Sequence, residues 1–281
     1  MKCMICNSKT KYYFSKTYSE HPFDEFMRDI GSVDYYKCSN CGFVFSKTHI
    51  DLDPQRWAKL NDQFHHYFED PKTEKKVNHP PYAEQSIMLM LLGNNRIVDI
   101  EDMIDYAAGY GTLSRILEKY FQISLPIFDP YIQDGDNSRY IGKENLRTYK
   151  TVVNSAMFEH VLSRDDLDQV NGLVKSDGCL ILHTVVCETV PKDPDWFYLR
   201  PPVHTAFHTN KSMAILMDQW GYRSSIYCPR GKCWVLLKRR TETIKEQISD
   251  LNKELQSDWF YYKDGFMDYW KGFVNKVIEE H

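Results

Sequence analysis

Four of the eight cysteines stand as two C-x-x-C pairs, Cys3 with Cys6 and Cys38 with Cys41, separated by 31 residues. Each short turn brings two thiolates within reach of one ion at about 2.3 Å. Four thiolates fill the tetrahedral sphere of zinc, so the metal expected here is structural and not catalytic. Gly42 follows the last of them and allows the knuckle to turn tightly. The bland alternative is four reduced cysteines that share a spacing by accident. A redox role fits poorly, because neither pair follows a strand in a βαβ pattern. Cys179, Cys187, Cys228 and Cys233 are scattered. A secreted disulfide framework is not expected of so long a chain whose start turns polar too early for a signal peptide.

A second constellation lies further on. Ile104-Asp105-Tyr106-Ala107-Ala108-Gly109-Tyr110-Gly111 ends an apolar run in an acid and a loop of small residues, and Asp129 closes the next apolar run 24 positions after Asp105. Gly109 and Gly111 allow the backbone close to a ligand, and a carboxylate at the end of a second strand suits the hydroxyls of a ribose. A glycine loop with a later acid fits a dinucleotide or S-adenosylmethionine. The loop lacks the G-x-G-x-x-G that cradles a pyrophosphate. His160, His183, His204 and His208 are candidate bases, with His183 at a strand end that points toward a cleft; each has a plain packing alternative. His65 and His66 read as a helix surface packed on its neighbour rather than as a metal site.

These residues need a scaffold. Lys11–Phe14, Asp34–Lys37 and Phe43–Phe45 are short aromatic β runs suited to hairpins around a metal, so residues 1–48 are expected to form a zinc ribbon. Residues 49–82 read as a helical linker, with a helix over about 55–69. A helix follows over 82–92. Strands are expected at 102–106, 125–129, 151–154 and 178–184, with helices at 112–120 and about 163–174 between them. Ser224–Tyr227 and Trp234–Leu237 flank a Pro229-Arg230-Gly231 turn as an antiparallel pair. Strands alternating with helices and closing in a hairpin indicate an α/β, doubly wound, mainly parallel sheet over 83–240. Ligands of such sheets bind beyond the carboxyl ends of the strands, where the glycine loop sits. Over 241–281, Ile244, Ile248, Leu251, Leu255, Trp259, Tyr262, Phe266, Tyr269, Phe273 and Val277 step by threes and fours. They predict one or two amphipathic helices packed on the body, or alternatively on a second subunit as a homodimer.

Composition narrows the function classes. With 281 residues, 42% hydrophobic and 26% charged, the chain is an ordinary globular one. No apolar run reaches the length of a membrane span, and a cytoplasmic location is expected. The formal net charge is −4. Residues 241–281 hold 5 Lys against 9 acids, which accounts for the whole excess. Lys238-Arg239-Arg240 is a short basic run, so nucleic acid is not an expected partner.

The segment from Ile104 to Gly111 resembles the first motif of class I S-adenosylmethionine-dependent methyltransferases, with Ala107 where the family has its first glycine. Asn154-Ser155-Ala156-Met157-Phe158-Glu159-His160-Val161 is similar to the segment after that family's fourth strand. His204 to Gly221 is similar to its histidine, helix and glycine run before the final hairpin. The resemblance covers about residues 83–240. A four-cysteine zinc module preceding this domain is found in a group of sugar methyltransferases. The resemblance implies S-adenosylmethionine as cofactor, with its methionine end near Asp105, Ala107 and Gly109. It implies the ribose on Asp129, the adenine near Pro130 and Tyr131, and Ala156, Met157 and Phe158 as the pocket floor. It implies His204 as the base, assisted by Tyr82, with His183 and His208 as alternatives. The substrate it implies is a small molecule, a sugar or nucleotide-activated sugar methylated on oxygen for a surface polysaccharide. C-methylation of a keto-sugar nucleotide and a non-catalytic binding module are the competing readings. An RNA or protein acceptor suits the balanced charge and the absence of an Asn-Pro-Pro-Tyr tetrad less well. The aromatic, polar stretch Cys187–Tyr198 is either a substrate lid or a loop packed over the core.

Overall fold

The computed structural model describes residues 1–69, 79–131, 139–239 and 242–268. Its N-terminal part runs β1 (Thr10–Lys16), a short α1 (Phe23–Phe26), β2 (Val33–Cys38), β3 (Val44–Ser46), α2 (Lys47–Ile50) and α3 (Pro54–Glu69). The main body continues with α4 (Tyr82–Asn94), β4 (Met103–Tyr106), α5 (Thr112–Phe121), β5 (Ile127–Phe128), β6 (Tyr149–Ser155), α6 (Arg164–Gly172) and β7 (Val174–His183). Two short strands follow, β8 (Val186–Cys187) and β9 (Ala206–Thr209). The chain then forms α7 (Asn210–Gln219), β10 (Ser224–Cys228), β11 (Cys233–Leu237), α8 (Glu242–Glu254) and β12 (Tyr261–Asp264).

β4 is buried at all four positions, and six of the seven residues of β6 are buried as well. A run without polar alternation can only sit where both sheet faces are covered, which is the centre of a parallel sheet flanked by helices. The seven-stranded sheet has the order β12-β10-β11-β7-β6-β4-β5. β5, β4, β6 and β7 are parallel neighbours, and β11 and β10 add an antiparallel hairpin in which Cys228 faces Cys233. This is the expected doubly wound, mainly parallel sheet, with β12 from beyond residue 240 added at its edge. α6 begins where expected because Ser163 caps it: its hydroxyl accepts from the Asp166 N–H, and the Asp166 carboxylate accepts from the Ser163 N–H in return.

The N-terminal strands are joined to this body rather than set beside it. β1, β2 and β3 form an antiparallel sheet that continues into β9 and β8, with Val44 opposite Phe207 and Phe45 opposite Ala206. Sheet hydrogen bonds thus cross the boundary expected at residue 48. Phe43 and Phe45 pack in the same core as Leu180, Leu182 and Trp220. The Cys187–Tyr198 stretch lies against this sheet, with the Tyr13 hydroxyl donating to the Val190 carbonyl at 2.9 Å and Trp196 packed on Phe207.

The tail departs from expectation. Ile244, Ile248 and Leu251 are buried along α8, as the spacing predicts. The chain then leaves the helix: Gln256 takes a left-handed φ of 49°, and Tyr261–Asp264 becomes an edge strand on β10, with Tyr262 opposite Ile226. The aromatic run Trp259-Phe260-Tyr261-Tyr262 has strand-forming side chains, and an open sheet edge satisfies its backbone groups. Phe266 stacks on Trp234 at 5.7 Å. The described tail therefore buries apolar side chains in its own chain. Tyr269, Phe273 and Val277 lie outside the described residues.

Gly111 opens α5 in a left-handed conformation, φ 67°, and a Cβ there would stand 2.6 Å from Ile127 Cδ1. Gly111→Val is expected to lower stability by about 2–4 kcal/mol from backbone strain and overpacking together. A urea titration, with its midpoint compared to wild type, measures this.

Candidate functional site

Two clusters collect the chemistry-bearing side chains. The first is the thiol cluster. Cys3, Cys6, Cys38 and Cys41 offer sulfurs that all lie within 4.8 Å of one another. Cys3 and Cys41 are 3.7 Å apart, and Cys6 and Cys38 are 3.4 Å apart. Sulfurs on a tetrahedral ion at about 2.3 Å stand roughly 3.8 Å apart, so the four thiols fit zinc. Asn7 and Gly42, each following a pair, both turn left-handed, with φ of 58° and 75°. The Ile5 N–H donates to Cys3 Sγ and the Asn40 N–H to Cys38 Sγ, both at 3.4 Å, which favours the thiolate form. The knuckles are fastened to the body: Thr209 Oγ1 donates to the Cys41 carbonyl, and Gln219 Nε2 donates to the Ile5 carbonyl at 3.1 Å. The cluster is a tie between sheet and body.

The second is a cavity of about 380 Å³ beyond the carboxyl ends of the parallel strands. Ala107, Ala108 and Gly109 of the loop after β4 form one wall, and Asp129, Pro130 and Tyr131 after β5 form the next. Ala156 and Met157 after β6 lie across from them. Ala107 takes a φ of 59° and Ala156 of 69°, so both bend left-handed without glycine. Asp129, 6% exposed, closes the glycine loop: its Oδ2 accepts from the Gly109 N–H and its Oδ1 from the Tyr131 N–H, each at 2.8 Å. The two amides fix the carboxylate against the loop.

The far wall comes from outside the strand-helix body. Trp57, Asn61 and His65 of α3 line the cavity, as does Tyr82 at the start of α4. His66, beside them, accepts or donates a 2.9 Å hydrogen bond with the Tyr110 hydroxyl, which ties α3 to the glycine loop. Sequence reasoning gave α3 only a packing role. The polar Asn61 and His65 four apart on one face were the signal available.

Several expected site residues lie elsewhere. Gly111 is absent from the cavity wall and serves the turn into α5. Phe158 is fully buried, packed on His208 at 5.7 Å and Trp220 at 6.3 Å, below the floor it was expected to form. His208 is also fully buried, 5.0 Å from Phe43; its Nε2–H meets the Phe158 carbonyl at 3.3 Å, and burial lowers it to about 4. It belongs to the core. His183 does not line the cavity either, since its Nδ1–H donates to the Lys232 carbonyl at 2.9 Å. His204 stands one layer back, and His160 is the histidine of the four that reaches the cavity wall. Burial, with the neighbouring His204 and His65 rings, holds His160 well below its ordinary range, so its imidazole is neutral.

Asp105 is not a wall residue. It is 1% exposed, its Oδ1 has no hydrogen-bond partner, and burial together with the charge of Asp129 pushes its carboxyl up to about 8. Unfolded, the same carboxyl loses its proton near the ordinary aspartate value of 3.8. Between those limits the folded chain holds a proton the unfolded chain has lost, so this group makes stability fall as pH rises through the window. Asp105→Asn is expected to remove that slope. Unfolding midpoints of wild type and variant, taken from pH 5 to 9, should diverge with rising pH; parallel curves would sink the assignment.

No family model matches the sequence, and no curated protein matches it. Among solved structures, the chain is similar to the plantazolicin methyltransferase BpumL in complex with SAH, at 11% identity and a TM-score of 0.44, over 74% of this chain and 96% of that one. It is similar to an O-methyltransferase family protein from Burkholderia thailandensis, at 17% identity and a TM-score of 0.40, over 66% and 72% of the two chains. It is also similar to DesVI of Streptomyces venezuelae, at 13% identity and a TM-score of 0.40, over 58% and 93%.

Proposed function

We propose that this chain is an S-adenosylmethionine-dependent methyltransferase acting on a hydroxyl of a sugar or nucleotide-activated sugar. The observation that carries the reading is Asp129: a carboxylate at the end of the second parallel strand, bonded to the Gly109 amide and lining the cavity. A carboxylate at the end of a second strand beside a glycine loop suits the hydroxyls of a ribose. Pro130 and Tyr131 lie beside it for the adenine. Gly109, Ala107, Ala156 and Met157 bring small or flexible groups close enough for the rest of the cofactor. When bound, S-adenosylmethionine supplies a methyl group on a sulfonium.

What the protein must add is alignment, because an in-line displacement depends on how the acceptor is held. Trp57 and Tyr82 add aromatic faces to the cavity wall, and Asn61 and Gln169 add amides. A polyhydroxylated ring with an apolar face matches that mixture. His65 and Tyr82 are the groups on the wall able to orient a hydroxyl and take up its proton, with His160 beside them. Tyr82 is proposed here in the assisting role, and His65 in the role that the sequence suggested for His204.

The test is transfer of an isotopically labelled methyl group to a panel of nucleotide sugars. Incorporation at oxygen, located by NMR of the product, is the expected result. Incorporation at carbon would replace the acceptor with a keto sugar. Tight cofactor binding with no transfer to any sugar would overturn the substrate, and absence of cofactor binding would leave the binding module.

A further inference from the structure

Beside the cavity, Glu159, His160 and His204 bring one carboxylate oxygen and two imidazole nitrogens within 4.8 Å of one another. We propose that these three side chains form a second metal site, a His2Glu set for a zinc-type divalent cation, adjoining the cavity at His160. Ligands around such an ion at roughly 2.0–2.2 Å stand about 3–4.4 Å apart, so small side-chain adjustments close the set.

Three features of the surroundings favour a cation. The Nδ1 of His204 lies 2.7 Å from the Tyr198 carbonyl, which only accepts, so Nδ1 carries the proton and Nε2 presents its lone pair. That is how a metal-binding imidazole is oriented, by a backbone carbonyl on its other nitrogen. The Tyr198 hydroxyl donates to Glu159 Oε1 at 2.7 Å and orients the carboxylate in the same way, although Glu159 is only 2% exposed. His160 Nδ1 is buried with no hydrogen-bond partner, and the Val203 carbonyl is the backbone group beside its ring. The His160 and His204 rings meet edge to face at 5.0 Å, and His65 on the cavity wall approaches His160 at 5.4 Å. A buried carboxylate with two imidazoles is a donor set with the chemistry of a borderline divalent ion, and three protein ligands leave room for water or a substrate oxygen. Metal binding stands independently. The role of the ion in holding the acceptor hydroxyl rests on the methyltransferase reading.

The test is metal content and cobalt spectroscopy on the full chain. After equilibration with excess zinc and removal of free metal, wild type should hold two zinc ions per chain, and His204→Ala and Glu159→Gln should each hold one. Cobalt added to protein that keeps zinc on its cysteines should give visible ligand-field bands without thiolate charge transfer, and His204→Ala should abolish them. One zinc per chain in folded wild type, or two in His204→Ala with an unchanged cobalt spectrum, would overturn the site. Circular dichroism confirms that each variant is folded, and Glu159→Gln serves if His204→Ala is not. Calorimetry with S-adenosylmethionine on the same samples separates the two claims: two metals without cofactor binding sinks the methyltransferase reading and leaves the site.

Discussion

Asp129→Ala should weaken S-adenosylmethionine binding by about 100-fold or more in a calorimetric titration. A hydrogen bond to a charged group contributes about 1.5–3 kcal/mol, and a ribose offers two hydroxyls, so about 3 kcal/mol or more is at stake. The same substitution frees the Gly109 N–H, which now donates to Asp129 at 2.8 Å, and so loosens the loop that forms the adjoining wall. Asp129→Asn separates the two effects, because its carbonyl keeps one acceptor for the loop while the charge is lost. An intermediate affinity is expected for it. Equal affinities for wild type and both variants would remove Asp129 from the cofactor site, and the proposed function with it.

Cys38→Ser should abolish high-affinity zinc binding at the thiol cluster and unfold the N-terminal sheet. Structural zinc contributes about 10–16 kcal/mol in small zinc domains, well above the usual stability margin of a whole domain. The loss would travel here, since Cys38 ends β2, β3 pairs with β9, and the Cys41 carbonyl accepts from Thr209 at the start of α7. Zinc analysis should show one equivalent fewer per chain. Limited proteolysis should show early cleavage between residues 1 and 50, and a chelator should reproduce the pattern in wild type. A folded, protease-resistant Cys38→Ser protein would mean that the sheet stands without its metal. Because α3 hangs from this sheet and supplies Trp57, Asn61 and His65 to the cavity wall, acceptor binding should fail together with the metal.

The elements that sequence reasoning located are those whose cause is local. Two C-x-x-C turns bring thiols together from spacing alone. Unbroken apolar runs mark the central parallel strands because only a doubly covered sheet accepts them, and an acid at the end of such a run has little packing reason to be there. The strands expected at 102–106, 151–154 and 178–184 were legible for these reasons, as was the β10–β11 hairpin, and they occur at 103–106, 149–155 and 174–183. The first half of the tail was legible too, since Ile244, Ile248 and Leu251 carry the helical period.

What remained hidden depended on groups distant in the chain. A helical period continues on paper past Gln256, but an open edge at β10 offers backbone partners that outweigh it, and Tyr261–Asp264 pairs there instead. Four histidines near strand ends look alike in a sequence. Packing puts His208 between Phe43 and Phe158, ties His183 to Lys232, sets His204 one layer back and leaves His160 on the cavity wall. Asp105 belongs to a family-like motif, yet burial beside Asp129 makes it a neutral acid under the site. Spacing along the chain determined which donors stand together within a turn or at a strand end. Only the tertiary structure decided which of them meet across the cavity and in which charge state, because burial, and the electrostatics that follow from it, belong to the neighbours a residue acquires on folding.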